Sequence, residues 1–293
     1  MDAVHHGVIA AAGMAVLSAQ GQPGAGMAFA AGSVLPDLDV LLMAFGKRFY
    51  LKGHQRVTHS LLTLPLMVLA VAVPLAASSF AVKEVVVASA IGLFLHMLLD
   101  LTNTYGISLL WPVSLKRFSL DAVFFIDAVS WALTLLCSAS AYFLASLAPL
   151  FVLVILLGLY AAMKLVIRHR LMNKLGVRVL VPGALNPFVF FAVEEDGLKV
   201  LSYAVNALTG REHSRVIYPV PESRHLALAR TSGVFTDMEQ VAKYLHITSV
   251  KDTPEGTTIV AHDLGVRNFG GRFARTELRF DREGSLVHER ADI

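Results

Sequence analysis

The chain has 293 residues, 55% of them hydrophobic and 16% charged, with a mean hydropathy of +0.62 and a formal net charge of +3. Soluble domains carry about 25% charged residues, so an ordinary soluble protein is excluded for part of the chain. No basic block interleaved with aromatics supports a nucleic-acid partner, and a single cysteine, Cys137, excludes an internal disulfide or a CxxC metal site.

The charge is spread unevenly. Residues 1–171 hold 10 of the 25 Lys+Arg and 7 of the 22 Asp+Glu, and residues 172–293 hold 15 of each. The composition predicts a polytopic membrane domain over 1–171 and a soluble α+β domain over 178–293, with the boundary near Arg168–Val177. The N-terminus has no Lys or Arg before its first apolar stretch, so no cleavable signal peptide is expected.

In chain order, Gly7–Ala19 and Ala25–Phe45 are apolar and rich in Gly and Ala, which lets membrane helices pack closely. Leu61–Val82 is 22 residues without a formal charge, enough to cross a ~30 Å hydrocarbon core. Val85–Leu99 is interrupted only by His96, and Ala122–Met163 only by Asp127; the latter divides at Ser146–Pro149. The expectation is an all-α membrane bundle of about six membrane segments. Basic residues collect in alternate connections: Lys47, Arg48, Lys52 and Arg56; Lys116 and Arg117; then Arg168, Arg170 and Lys174. By the positive-inside rule this predicts a multi-pass protein of the cytoplasmic (inner) membrane with both termini cytoplasmic. Beyond it, Phe188–Val193 and Leu198–Val205 flank a hairpin turn at Glu194–Gly197. Ser223–Leu245 reads as one or two helices, and Thr257–His262, Arg275–Asp281 and Ser285–Glu289 as strands.

Carboxylates in membrane helices cost roughly 2.5–3.5 kcal/mol each on insertion scales, yet Asp37, Asp39, Asp100, Asp121 and Asp127 are present, with His6, His54, His59 and His96. The predicted topology brings all of them to one face. His96 and Asp100 are an i,i+4 pair on one helix face. Asp37 and Asp39 alternate in an extended turn after Pro36, from which both could reach a metal. His54 and His59 suit a loop running into a helix capped near Thr58 or Ser60. Asp121 and Asp127, six apart, would not share a helix face, so one of them is expected to orient a ligand histidine from outside. A polar packing network or proton path is the bland alternative for the set. His5, His169 and the five C-terminal histidines read as neighbours or surface residues.

Met1-Asp2-Ala-Val-His-His6-Gly, Leu35-Pro-Asp37-Leu-Asp39, His54-Gln-Arg-Val-Thr58-His59-Ser60, His96-Met-Leu-Leu-Asp100 with Asn103-Thr-Tyr-Gly106, and Leu110-Trp-Pro with Arg117-Phe-Ser-Leu-Asp121 and Ile126-Asp127 occur in order. Together they resemble the YdjM-like family of membrane-bound metal-dependent hydrolases, over residues 1–130. The family's histidine motif has arginine directly after the first histidine; here Gln55 stands there and Arg56 follows. The resemblance implies a metal-dependent hydrolase.

The expectation is therefore a Zn²⁺ site, with Mn²⁺ or Fe²⁺ as alternatives and two ions favoured over one. Asp37, Asp39, His59, His96 and Asp100 are the expected core ligands, with His6 as a further ligand. His54, Asp121 and Asp127 are assigned to proton transfer or ligand orientation. Arg56, Lys116 and Arg117 would hold an anionic headgroup. The expected partner is a membrane lipid or lipid-linked ester, cleaved by metal-activated water, and a protein partner could bind through 178–293. The alternatives are a non-catalytic scaffold with a structural metal and an ion- or proton-coupled transporter.

Overall fold

The structure, a computed structural model, describes residues 1–269 and 274–292. It divides into two compact units: Met1–Leu42 with Gly53–Leu165 and Ala184–Pro187, and Met43–Lys52 with Val166–Gly183 and Phe188–Ile293.

The first unit is helical. Helix α1 (Ala3–Ala19) starts at Asp2, whose carboxylate accepts from the Val4 and His5 amides. Helix α2 (Pro23–Val34) begins on a proline, which already has a helical φ and lacks only an N–H that would have no partner there. It runs straight into a 3-10 helix, Leu35–Phe45. Helix α3 (Lys47–Gly53), a 3-10 turn (Val57–His59), α4 (Leu64–Ala77) and α5 (Val82–Leu101) follow. After an irregular loop come α6 (Ala128–Leu144), capped by Asp127, and α7 (Ala148–Leu175). Ile9, Ala28, Phe29, Val71, Val85 and Leu153 form the core. Large apolar side chains such as Phe143, Phe151, Ile155 and Leu159 point outward, as lipid-facing surfaces require.

Six apolar segments were expected to span. Among the described residues only three helices are long and apolar enough, Pro23–Phe45, Val82–Leu101 and Ala148–Leu175; a fourth counts if Lys47–His59 and Leu64–Ala77 form one broken span. The shortfall has local causes. The charge-free run from Leu61 to Val82 turns at Ser78–Phe80, whose amides fold back on Leu75 and Ala76, so α4 has 14 residues, about 21 Å. Helices α1 and α6 have 17 each, about 26 Å. These two run parallel, with Trp131 on Asp2 at one end and Gln20 on the Ala145 carbonyl at the other.

Helices α2 and α5 touch backbone to backbone. A Cβ on Gly32 would lie 2.5 Å from the Ser89 carbonyl, and one on Gly92 would press on the Phe29 carbonyl and the Ser33 amide. This contact brings the last turn of α2 against His96.

The second unit holds two four-stranded antiparallel meanders, β1 (Val179–Pro182), β2 (Val189–Asp196), β3 (Lys199–Asn206) and β4 (Glu212–Pro219), then β5 (Leu245–Thr253), β6 (Gly256–Asp263), β7 (Arg275–Phe280) and β8 (Leu286–Asp292). The β2–β3 hairpin turns at Gly197 and pairs Asp196 with Lys199, where the alternation placed it. The helical stretch 223–245 is two short helices, α8 (Ser223–Ala229) and α9 (Gly233–Glu239), and Leu245 already belongs to β5. Strands β1, β4 and β5 had no sequence reading. Residues 43–52 belong to this unit: Leu51 packs on Val234, Met238 and Ala291, and Arg48 pairs with Asp237 at 2.9 Å.

Replacing Gly92 with leucine should separate α2 from α5. Overpacking of this kind costs about 1–3 kcal/mol. A lower unfolding midpoint in detergent is expected; a midpoint equal to wild type would contradict the backbone contact.

Candidate metal centre

Four side chains from three elements converge. Helix α5 supplies His96 and Asp100, one turn apart; the 3-10 turn supplies His59; the 3-10 extension of α2 supplies Asp37. Their nearest ligand atoms all lie within 4.8 Å of one another, and this is the one such group of three or more among the described residues. His59 Nε2 is 3.1 Å from both His96 Nε2 and Asp100 Oδ2. His96 Nε2 is 3.6 Å from Asp100 Oδ2 and 3.7 Å from Asp37 Oδ1. A tetrahedral ion at metal–ligand distances near 2.0–2.2 Å has ligand–ligand edges of about 3.3–3.6 Å. Four of the six gaps, 3.1–3.7 Å, are close to those edges, and the other two fall within 4.8 Å.

The outer ring nitrogens fix the tautomers. His96 Nδ1 lies 2.7 Å from the Ser33 carbonyl, which can only accept, so Nδ1 carries the proton. Thr58 donates its hydroxyl hydrogen to Asp39 Oδ2 at 2.9 Å, so its oxygen is left to accept from His59 Nδ1, also at 2.9 Å. In these tautomers both Nε2 atoms present lone pairs to each other and to two carboxylates. Four acceptors facing one another in a buried site repel, unless a cation sits among them. Asp37 Oδ2 adds to the case: it is buried and makes no hydrogen bond. The residues present fit a divalent metal, and a His₂Asp₂ set suits Zn²⁺ first.

Asp39 was expected among the ligands but lies one layer out. In a 3-10 helix, with three residues per turn, residues i and i+2 point roughly 120° apart. Asp37 therefore faces His96 while Asp39 faces the 54–58 turn, contrary to the extended turn expected after Pro36. Its oxygens take His54 Nδ1 (2.6 Å), the Gln55 amide (2.8 Å) and Thr58. The result is a carboxylate–hydroxyl–imidazole relay that aims His59. His6 also sits outside the four: its Nε2 meets Asp100 Oδ1 at 3.0 Å and its ring stacks on His96 at 3.8 Å. The Met1 amine shares that oxygen at 2.5 Å.

The remaining expected residues lie elsewhere. Asp127 caps α6 through the Ser130 amide and accepts from Tyr160 on α7. Asp121 pairs with Ser119. Neither belongs to the group of four. Arg117 spends its guanidinium on the carbonyls of Tyr105, His54 and Gly106 and on the Gln55 side chain, so it ties the 101–127 loop to the 54–55 turn rather than waiting for an anion. Arg56 is buried; Lys116 is exposed and lies over the Phe118 ring. Thr58 and Ser60 do not cap α4, which starts at Leu64; the Ser60 hydroxyl is held by the Leu109 and Trp111 carbonyls.

Sequence reasoning missed two supports. Thr58 directly precedes the candidate ligand His59, and its hydroxyl was a visible signal. The Ser33 carbonyl is main chain and leaves no signal in residue identity.

The family model described as YdjM inner membrane protein matches residues 1–171. This chain belongs to the YdjM family. The match includes all four members of the cluster. No curated protein and no solved structure matches the chain.

Replacing Thr58 with valine keeps shape and removes the relay hydroxyl. The expected effect is a ~10–100-fold loss of metal affinity, as for other outer-shell partners, with Thr58→Ser close to wild type. Equal affinities for all three proteins by metal titration would remove the relay from the account.

Proposed function

We propose that this chain is a membrane-bound metal-dependent hydrolase acting on a lipid or lipid-linked ester, with phosphodiesters the preferred class. The observation that carries this reading is the pair of histidine Nε2 atoms, 3.1 Å apart, whose Nδ1 atoms are both donors. A bound Zn²⁺ would supply Lewis acidity and a hydroxide at neutral pH. His59, His96 and Asp100, all almost fully buried, would hold it. Asp37 is the one partly exposed member, with an unpartnered Oδ2, and it would take the proton from water. Asp37, partly exposed, would return that proton to solvent itself, while His54, a quarter exposed, is bonded to Asp39. Asp39 and Thr58 keep His59 in the ligating tautomer.

A specific observation favours a second reading. Four protein donors close a tetrahedral shell, which is the pattern of structural zinc. Asp37 separates the two. As proton acceptor, its replacement by asparagine leaves the metal in place and removes hydrolysis; as a fourth permanent ligand, the same change releases metal and lowers the unfolding temperature. Washed protein should carry about one ion per chain, and His96→Ala or Asp100→Ala should lose it, while His169→Ala keeps it. Metal-free wild-type protein that takes up none on titration would end both readings.

We also propose that both termini lie in the cytoplasm of the inner membrane. The basic residues at 47–56, 116–117 and 168–174 support this. It requires an even number of crossings. Reporters fused at each end should both be active on the cytoplasmic side; termini on opposite faces would show an odd count and reverse the assignment.

A further inference from the structure

The segment between Ile107 and Phe118 is a closed loop. Those two residues exchange backbone hydrogen bonds at 2.9 and 2.8 Å. Its flanks are pinned to the turn that carries His59: the Ser108 amide bonds the Gln55 carbonyl, the Leu61 amide bonds the Leu109 carbonyl, and Ser60 Oγ reaches the Trp111 carbonyl at 2.6 Å. Arg117 closes the base. A loop so held presents its tip in a fixed way.

The tip is apolar and open. Val113 is 82% exposed and Leu115 54%, with Leu110 and Pro112 also exposed. Leu61 and Leu62 are exposed beside it, continuous with it through the Leu61–Leu109 bond. Trp111 is half-buried within the loop and Lys116 exposed at its end. A rigid apolar patch of this kind in water is unfavourable, and patches of this kind mark interaction surfaces. The chemistry selects the occupant. Aliphatic residues for acyl chains, a tryptophan at the boundary and a lysine for anionic headgroups are the composition of an interfacial membrane anchor. The loop follows α5, a candidate span that ends only six residues earlier at Leu101.

We infer that loop 107–118 is a wedge inserted into the bilayer interface beside the metal site, its partner the lipid surface. The wedge is tied to the residues on either side of His59, so a lipid it displaces lies next to the ligand-bearing turn. On the hydrolase reading above, substrate then reaches the site sideways from the bilayer as an amphiphile, not from water as a solute.

The chain has two tryptophans, so Trp131→Phe leaves Trp111 as the sole reporter. The variant is placed in nanodiscs made with acyl-brominated phospholipid, and its metal content is measured on the same sample. Trp111 emission is expected to fall by at least half relative to unbrominated discs, and adding Val113→Asp with Leu115→Asp should restore it. Emission that bromine leaves within a tenth of its value, while aqueous acrylamide quenches it, overturns the wedge and points to a protein partner or to open solvent. Metal content keeps the two readings apart: quenching without metal supports the wedge and removes the hydrolase, and metal without quenching overturns the wedge and leaves the metal site standing.

Discussion

The Asp100 carboxylate is almost completely sealed from solvent, and an unpaired charge there would be untenable. Oδ1 takes His6 and the Met1 amine, whereas Oδ2 faces the Nε2 lone pairs of His59 and His96 and is met only by a cation among them. Much of the rest of the first unit serves those contacts. The glycine contact between α2 and α5 brings the Ser33 carbonyl to His96. The 3-10 extension of α2 carries Asp37 to one side and Asp39 to the other. The 54–59 turn is held by Asp39 from one direction and by the 101–127 loop from another. Donors drawn from such separated points of the chain are preorganised because His59, His96 and Asp100 each have an outer partner.

The C-terminal unit is joined to this arrangement through the chain itself. Residues 43–52 belong to it, and they connect Asp37 and Asp39 on one side to His54 and His59 on the other. Leu51 is sealed among Val234, Met238 and Ala291, and Lys47 donates to the Ala291 carbonyl. Arg48 and Lys52 both pair with Asp237. Exposed pairs of this kind contribute little individually, so the hold rests on Leu51.

What could be read from sequence, and what could not, follows from how local each feature is. The His96/Asp100 pair was legible because helix geometry alone puts i and i+4 on one face. The histidine and aspartate motifs were legible as a set because polar residues stand out against an apolar background. The place of Asp39 outside the group of four was not legible, because its direction depends on three residues per turn rather than an extended strand, and Leu35–Phe45 does not announce a 3-10 helix. Arg117 was misread because its partners are mostly main-chain carbonyls, which carry no signal in residue identity. The span count failed where a charge-free run hid a turn at Ser78–Phe80: the turn carries no formal charge to mark it, so the run reads as continuous. In the second unit the hairpin at Gly197 was plain. Strand β4, exposed along nearly its whole length, lacks the alternation by which a half-buried strand is recognised.

The shortness of α1, α4 and α6 bears on the lipid as much as on the protein. Wherever a helix of 14 to 17 residues faces acyl chains, the hydrocarbon around it must compress to meet it, at a cost of fractions of a kcal/mol for each ångström of mismatch. Thin, short-chain or unsaturated lipids collect where that cost is least. Where α1, α4 or α6 meets acyl chains, the lipids expected beside it are the species easiest to deform.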